Sequence, residues 1–209
     1  PLLKAIGSTG KPVIMSTGMA DLSEIDLAVK TIRAAGCNDL SVLKCTSAYP
    51  APPESMDLRT IPHLAQTFNV IPGLSDHTLG SVVPIAAVSL GAKVIEKHFT
   101  LDRSSGGVDS FFSLEPCEFK KMVDDIRIIE KALGTISYKR SEKEEKNLCF
   151  RRSIFAVKDI AQGQSIAESD IRIIRPGYGL PPKYLDTVVN KKANCDIKRG
   201  TPISWELLG

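Results

Sequence analysis

Residues 69–100 read NVIPGLSDHTLGSVVPIAAVSLGAKVIEKHFT, with two short apolar runs on either side of a longer apolar segment. The first run, NVIPGLSDH (69–77), and the last, AKVIEKHFT (92–100), both end in polar residues, as buried parallel strands do. The segment between them, GSVVPIAAVSLG (80–91), closes on a glycine, which is typical of the end of a helix. The stretch therefore predicts a strand, a helix and a second strand parallel to the first.

The same order of elements continues on both sides of this stretch. Two more strands are predicted, in KPVIMSTGM (11–19) and LSVLKCTSAYP (40–50). Three more helices are predicted, in LSEIDLAVKTIRAAG (22–36), where Ser23 is the expected N-cap, in DLRTIPHLAQTF (57–68) and in EPCEFKKMVDDIRIIEKALG (115–134). Strand followed by helix, four times over, indicates an α/β protein with a parallel sheet.

The pattern changes after residue 134. Residues 135–150, TISYKRSEKEEKNLCF, are polar and charge-rich, and we interpret them as a linker. Residues 151–209 hold short apolar stretches between Gly and Pro turns, and their segments DIAQG (159–163) and DIKRG (196–200) are alike. The sequence therefore predicts an α/β domain over 1–134, a linker over 135–150, and a small, mostly β domain over 151–209.

Composition excludes several classes of function. The formal net charge is +3 and only 6% of residues are aromatic, so neither a basic tract nor a stacking platform points to nucleic acid. The five cysteines are odd in number and form no CxxC pair, which favours reduced thiols in a cytoplasmic protein. No apolar run approaches the roughly 18 residues of a membrane span, so no membrane partner is expected.

Ligands of parallel α/β folds bind at the carboxyl ends of the strands, and here those ends are polar. All four predicted strands place polar groups at one rim. These groups are Ser16-Thr17, Thr46-Ser47, Ser75-Asp76-His77 and His98-Phe99-Thr100. Lys44 and Lys97 precede the rim, and the pattern leaves open whether they face the sheet interior or the helix layer.

Two of the three histidines, His77 and His98, end neighbouring strands. Adjacent parallel strands lie about 4.8 Å apart, so the two imidazoles can reach one ion such as Mn²⁺, Co²⁺, Zn²⁺ or Fe²⁺. Because no thiolate cluster accompanies them, an open catalytic metal site is favoured over a closed structural one. The alternative is a pair of hydrogen-bonded structural histidines, which is the interpretation that fits His63 on its predicted helix.

The loop RSSGGVDS (103–110) follows the fourth strand and carries Asp109. Its glycines, Gly106 and Gly107, let the backbone approach a ligand closely. Asp109 is therefore a candidate site residue, with an ordinary turn aspartate as the alternative.

Several of these motifs together resemble the sialic acid synthase family, in the same order along the chain. They are KPVIMSTGM, KCTSAYPAPPE, GLSDHTLG, EKHFTLDRSSGGVDSFFSLEP, FRRSIFAVKDIAQGQSI and IRPGYGLPPKYLD. The resemblance covers essentially the whole chain and implies the C-terminal half of a (β/α)8 TIM barrel followed by an antifreeze-like (SAF) domain. Within the family, the pseudaminic branch is the most similar.

The resemblance implies a condensation of phosphoenolpyruvate with the open-chain aldehyde of an amino sugar. For the pseudaminic branch the sugar is a 2,4-diacetamido-2,4,6-trideoxy hexose of altrose type, and the products are pseudaminic acid and phosphate. The C–O bond of phosphoenolpyruvate breaks, and water adds at C2. A divalent metal, Mn²⁺ before Co²⁺ or Mg²⁺, would polarise the aldehyde oxygen. N-acetylneuraminate or legionaminate synthesis is the alternative within the family.

The resemblance also assigns roles to residues. His77 and His98 would hold the metal, and Asp109 would contact the sugar or a metal-bound water. Ser16 and Ser75 would bind the phosphate, and Tyr49 would line the sugar pocket. Ser47 occupies the position of an asparagine in the sialic acid branch. Arg175, in a SAF domain swapped across a homodimer, would reach the partner's barrel, where a guanidinium suits a carbonyl or carboxylate.

The family's first half-barrel, with its phosphoenolpyruvate lysine and a proton-transferring acid, has no counterpart in residues 1–209. The sequence opens with PLLKAIGSTG, without Met, in what reads as the middle of a helix, so we expect a piece of a longer protein. Half a barrel has an exposed sheet edge and an open core. These residues alone are therefore expected to be inactive. Outside the enzyme class, the alternative is a non-catalytic chain whose SAF domain binds carbohydrate.

Overall fold

The structure, a computed structural model, describes residues 1–209 and forms two compact units that meet in sequence between Thr135 and Ile136. The first unit contains a curled four-stranded sheet in which every neighbouring pair of strands is parallel, in the order β1-β2-β3-β4. The strands are β1 (Val13–Ser16), β2 (Leu40–Cys45), β3 (Ile71–Asp76) and β4 (Val94–Lys97). The predicted fold class, half of a TIM barrel, is confirmed.

Helices cross over between successive strands, as parallel pairing requires. The helices of the first unit are α1 (Leu2–Gly7), α2 (Leu22–Ala34), α3 (Thr60–Phe68), α4 (Val82–Ser89) and α5 (Pro116–Leu133). The predicted N-cap of α2 was wrong by two residues, because Asp21 accepts from the Glu24 amide and Glu24 accepts from the Asp21 amide. The Ser23 hydroxyl instead donates to the Asp21 carboxylate at 2.7 Å. This reciprocal capping box satisfies two amides that a helix start leaves free.

Helix α3 begins three residues later than predicted. Asp57 has φ +43°, a left-handed backbone conformation that no helix continues through. Its carbonyl accepts from the Thr60 amide at 2.9 Å, which forms a turn just before the helix. At the other end Asn69, with φ 48°, closes the helix in the left-handed conformation.

The core of the first unit lies between the sheet and its helices. Val42 of β2 packs with Val29 and Ile32 of α2, and Leu74 of β3 packs with Ile61 of α3. Each fully buried side chain of this size contributes roughly 1.5–3 kcal/mol relative to exposure. Side chains alternate along a strand, so the neighbours of these residues face the opposite side of the sheet. Ile14 of β1 lies on that side and is 59% exposed.

The second unit contains helices α6 (Glu142–Lys146) and α7 (Leu185–Val188) and an antiparallel pair, β5 (Ser153–Ala156) with β6 (Ile171–Ile174). The two similar stretches of its sequence pair with each other. Ile160 and Ile197 exchange both backbone hydrogen bonds at 2.8 Å. Asp196 accepts from the Gln162 amide and Asp159 from the Arg199 amide, each at 2.8 Å. The repeated motif therefore supplies both halves of one paired element in the core.

The segment predicted as a linker, 135–150, holds α6 and a 3₁₀ turn over Asn147–Phe150. Ser141 caps α6 through a capping box with Glu144, which explains the charge-rich SEKEEK pattern as a short exposed helix. None of the helices in the chain combines the length and the apolar character needed to cross a lipid bilayer.

Candidate active site

His77 and His98 lie together at the carboxyl edge of the sheet. Each directly follows its strand, and the residues before them, Asp76 and Lys97, are the last register pair of β3 and β4. The two imidazole ring centroids are 5.1 Å apart, with their planes at 74°. The structure thus brings together the two histidines that the sequence singled out.

A backbone carbonyl sets the orientation of the His77 ring. His77 is 6% exposed, and its Nδ1 lies 2.9 Å from the carbonyl oxygen of Thr46. A carbonyl only accepts, so this contact places the proton on Nδ1 and leaves the lone pair on Nε2. Histidines that ligate metals are commonly held in this way. Thr46 was expected at the rim, but its contact with His77 could not be predicted, because it comes from the main chain.

His98 is biased toward the neutral form. Burial lowers its pKa below the ordinary value of 6.5, the neighbouring His77 and Lys97 act in the same direction, and Asp109 opposes them. The Asp109 Oδ2 lies 3.7 Å from the His98 Nδ1. Asp109 therefore stands beside the histidine pair, and neutral imidazole is the form that binds a metal ion.

Aromatic rings line one side of the histidine pair. The Tyr49 ring centroid lies 4.3 Å from that of His77 and 5.8 Å from that of His98. The Phe112 ring lies 4.8 Å from His98. Tyr49 was predicted for this place, whereas Phe112 was missed, although it sits in the same GGVDSFF segment as Asp109.

Glu96 is a second residue that the sequence analysis missed. It lies two residues before His98 on β4, so both side chains emerge on the same face of the sheet. Ser75 is its register partner on β3, and the Ser75 hydroxyl donates to Glu96 Oε1 at 2.6 Å. The spacing of Glu96 and His98 by two within EKHFT was the available signal.

The remaining predicted residues of the first unit sit on strands β1 and β2. Ser16 ends β1, opposite Leu43 of β2, and is exposed on the face that Ser75 also occupies. Ser47 follows β2, with its hydroxyl 3.9 Å from the Cys45 sulfur. Both belong to the polar edge of the sheet, but neither contacts the histidines within hydrogen-bond distance.

Two polar residues at the rim face the helix layer instead. Lys97 donates to the Asp76 Oδ2 at 2.6 Å and also to the carbonyl of Thr78, and its side chain is 1% exposed. The expectation that Asp76 joins the histidines at the rim was therefore wrong, because side chains alternate along β3.

Arg175 directly follows β6 in the second unit and is exposed.

The residues present fit a bound divalent metal. Two imidazoles supply ligand nitrogens of the preferred kind, and the Thr46 carbonyl fixes the orientation of the His77 ring. No group of three or more His, Cys, Asp or Glu side chains is arranged to enclose an ion. The donor set thus matches an open site, in which water and substrate fill the other positions, rather than a closed structural site.

Comparison with known proteins gives two family matches, the NeuB family over residues 1–138 and the SAF domain over residues 151–209. The chain is 45% identical over 198 residues to a pseudaminic acid synthase of Campylobacter jejuni, covering 95% of this chain and 58% of that protein. It is 39% identical over 211 residues to an N,N'-diacetyllegionaminic acid synthase of Legionella pneumophila, covering 99% and 59%.

Among solved structures, the spore coat polysaccharide biosynthesis protein SpsE of Bacillus subtilis aligns with a TM-score of 0.62 at 37% identity. That alignment covers 100% of this chain and 64% of SpsE. The chain thus spans about three fifths of the length of the curated relatives it matches. On the matches over residues 1–138 and 151–209, the chain belongs to the NeuB family and carries a SAF domain after its NeuB segment.

Proposed function

We propose that this protein condenses phosphoenolpyruvate with an amino sugar to form a nonulosonic acid and phosphate. The observation that carries the proposal is the histidine pair, with ring centroids 5.1 Å apart and the His77 Nδ1 tied to a carbonyl. The names of the relatives, which are synthases of pseudaminic and legionaminic acids, support the same chemistry. The chain covers 58% and 59% of these two relatives, so the activity is proposed for the whole protein and not for residues 1–209 alone.

The proposed cofactor is a divalent metal ion held by His77 and His98, with Mn²⁺ favoured over Co²⁺ or Mg²⁺. When bound, such an ion supplies a Lewis acid for the aldehyde oxygen of the sugar. The mutual position of the two imidazoles comes from adjacent parallel strands, so the sheet itself sets their spacing.

The hydroxyls on the sheet face provide the proposed phosphate contacts. Ser75, which donates to Glu96 at 2.6 Å without substrate, would turn to donate to a phosphate oxygen, and Ser16 would donate from β1. Loss of the serine contact leaves the Glu96 carboxylate free to accept a proton. Glu96 and Asp109 are therefore the groups of this chain that can take the proton from the water that adds at C2.

The aromatic side of the site is proposed to hold the sugar. Tyr49 is 53% exposed while its ring contacts both histidines, so it can cover one face of a bound sugar and still present its hydroxyl. Ser47 lies at the same edge of the sheet and is a weaker candidate for the substrate contact. C3 of phosphoenolpyruvate bonds to the aldehyde carbon as the aldehyde oxygen takes up a proton, and water adds to the resulting cationic C2 and gives up a proton. Phosphate then leaves with the C–O oxygen and the proton of the new hydroxyl, which leaves a keto group at C2.

Arg175 is proposed to act across a homodimer in which the SAF domain is swapped. Its exposed guanidinium has two parallel donors, which suit a carboxylate or acetamido carbonyl of the substrate. In that arrangement Arg175 of this chain would reach into the barrel of the partner subunit.

The proposed sugar is the 2,4-diacetamido-2,4,6-trideoxy hexose of altrose type, which gives pseudaminic acid. The choice rests on the segments CTSAYPAPPE, GGVDSFFSLEP and RPGYGLPPKYL, which resemble the pseudaminic branch, and on the 45% identity to the pseudaminic acid synthase of Campylobacter jejuni. Legionaminate or N-acetylneuraminate synthesis is the second candidate, and a non-catalytic chain with a carbohydrate-binding SAF domain is the candidate outside the enzyme class.

The test is phosphate release from phosphoenolpyruvate by the longest natural reading frame that contains residues 1–209. The altrose-type sugar, the legionaminate precursor and N-acetylmannosamine are compared, each with Mn²⁺ and with a chelator. We expect metal-dependent release with the altrose-type sugar. Release with another sugar alone would overturn the pseudaminic assignment, and no release with any sugar would overturn the enzyme assignment.

A further inference from the structure

Lys44, at the second-to-last position of β2, carries a charge that the chain does not neutralise. Its ammonium donates to the Cys45 carbonyl and to the Thr46 hydroxyl, both at 3.2 Å. No carboxylate lies within 4.0 Å of it, since Lys44 takes part in none of the ion pairs of the chain. The side chain is half-buried, so part of its hydration is lost without a counter-charge.

The same sheet shows how a lysine in this position is neutralised. Lys97 is the last residue of β4, faces the helix layer as Lys44 does, and pairs with Asp76 at 2.6 Å. On β3, the register partner of Lys44 is Leu74, which offers no carboxylate. The two lysines thus share a face of the sheet but differ in that only Lys97 has an internal counter-ion.

The Lys44 ammonium opens onto a cavity of about 550 Å³ between the sheet and helices α2 and α3. Thr46, Ser55, Thr60 and His63 are among the polar residues that line it. No Asp or Glu lines this cavity; Asp57 lies in the neighbouring groove, together with Arg59. The lining therefore combines one cation with polar side chains and no carboxylate, which suits an anion.

We propose that this cavity, which we name the Lys44 cavity, is a binding site for a small oxyanion of the phosphate class. The ammonium supplies the charge, and the Ser55 and Thr60 hydroxyls supply further donors, whereas the Thr46 hydroxyl already donates to the Ser55 carbonyl at 2.9 Å. A bound oxyanion gives Lys44 the counter-charge that Asp76 gives Lys97, and it does so from outside the chain. Lys44 faces the helix layer, whereas the two histidines emerge on the other face of the sheet, and the cavity extends to the rim at Thr17, Cys45 and Ser47.

The lining of the Lys44 cavity also includes apolar side chains, among them Leu22 of α2 and Leu64 of α3. Inorganic phosphate leaves these side chains uncovered, but a phosphate monoester with a small apolar body contacts them. Burial of such a body adds about 25 cal/mol per Å² of apolar surface. A phosphate monoester is therefore expected to bind more tightly than free phosphate.

The experiment is a titration of the full chain with inorganic phosphate and with phenyl phosphate, followed by calorimetry and by amide chemical shifts. We expect saturable binding that shifts the amides of Thr46, Thr60 and His63, with phenyl phosphate the tighter ligand. Equal affinities would show that the apolar part of the lining contributes nothing and would overturn the preference for a monoester. Lys44→Met should weaken this binding about ten-fold or more, and Lys44→Arg should retain it.

Three further variants keep the test decisive. Thr60→Glu places a carboxylate in the cavity at the first position of α3, where acids stabilise a helix, so it should remove phosphate binding without loss of fold. Lys93→Met removes an exposed, unpaired lysine near the start of β4 and is the matched charge control. Ser75→Ala removes the proposed phosphate contact on the other face of the sheet, so phosphate binding in the Lys44 cavity should persist in this variant. Absence of binding, or binding unchanged in Lys44→Met and Thr60→Glu, would overturn the proposal.

Discussion

The Lys97 ammonium lies 2.6 Å from the Asp76 carboxylate, and the two side chains are 1% and 0% exposed. Each residue immediately precedes one of the two histidines, on the opposite face of the sheet. A charge pair buried to this extent has few alternative geometries, since any other arrangement leaves a charge without water or partner. The pair therefore fixes the ends of β3 and β4 relative to each other, and with them the spacing of His77 and His98.

Removal of one member of this pair should strongly destabilise the first unit. Asp76→Asn or Lys97→Met leaves an uncompensated buried charge, which costs about 3–5 kcal/mol of unfolding free energy. Urea unfolding measures the change. The control is Lys30→Met, which breaks an ion pair whose lysine side chain is 73% exposed and should change stability by less than about 1 kcal/mol. Similar losses for the two lysine variants would contradict the role of the buried pair.

The sequence predicted the strand order and the histidine pair, because strand ends of a parallel sheet meet at one edge whatever the loops do. It did not predict Glu96, Phe112 or the Thr46 carbonyl. Side chains alternate along β4, so Glu96 can be placed beside His98 only when the face of the sheet that His98 occupies is known. The Thr46 contact uses a main-chain atom, which has no residue-type signature.

The direction in which the Lys44 and Lys97 side chains point from the sheet also could not be predicted from the sequence. Lys44 follows Leu43 and Lys97 follows Glu96, and a shift of one position in strand register would reverse the direction of either lysine. The register pairs Leu43–Gly73 and Asp76–Lys97 place both lysines on the face of the sheet toward the helices. Gly73 allows the close approach, since a Cβ there would lie 2.3 Å from the Leu43 side chain and 2.6 Å from the Val94 carbonyl oxygen.

His98→Ala should abolish metal-dependent activity of the longer protein and leave the fold largely intact. The His98 side chain is 30% exposed and forms no hydrogen bond that holds the sheet, so its loss removes a ligand rather than a structural contact. Metal titration by calorimetry and phosphate release from phosphoenolpyruvate measure the effect. His63→Ala is the control, because the hydrogen bonds of the His63 imidazole go to Thr67 on its own helix and not to the residues around His98. Unchanged activity in His98→Ala would remove the metal proposal.

The lowered pKa of His98 should appear in the pH dependence of the metal-free chain. Burial disfavours the charged ring, so the unfolded chain takes up a proton near pH 6.5 before the folded chain does. Stability should therefore fall as the pH drops below 6.5 and level off below the folded pKa. In His98→Gln this contribution should vanish. The midpoint of the His98 ring shifts in NMR checks the direction, and a midpoint above 6.5 would contradict it.

The paired motifs of the second unit should contribute equally to its stability. Ile160 and Ile197 are each 1% exposed and exchange both backbone hydrogen bonds, so each side chain fills an equivalent place in the core. Ile160→Ala and Ile197→Ala should each cost about 2–5 kcal/mol of unfolding free energy. Ile136→Ala, at a side chain that is 97% exposed in the same unit, should cost almost nothing. Denaturant unfolding of the three variants measures these differences, and a loss confined to one of the two paired positions would show that the repeat is not structurally equivalent.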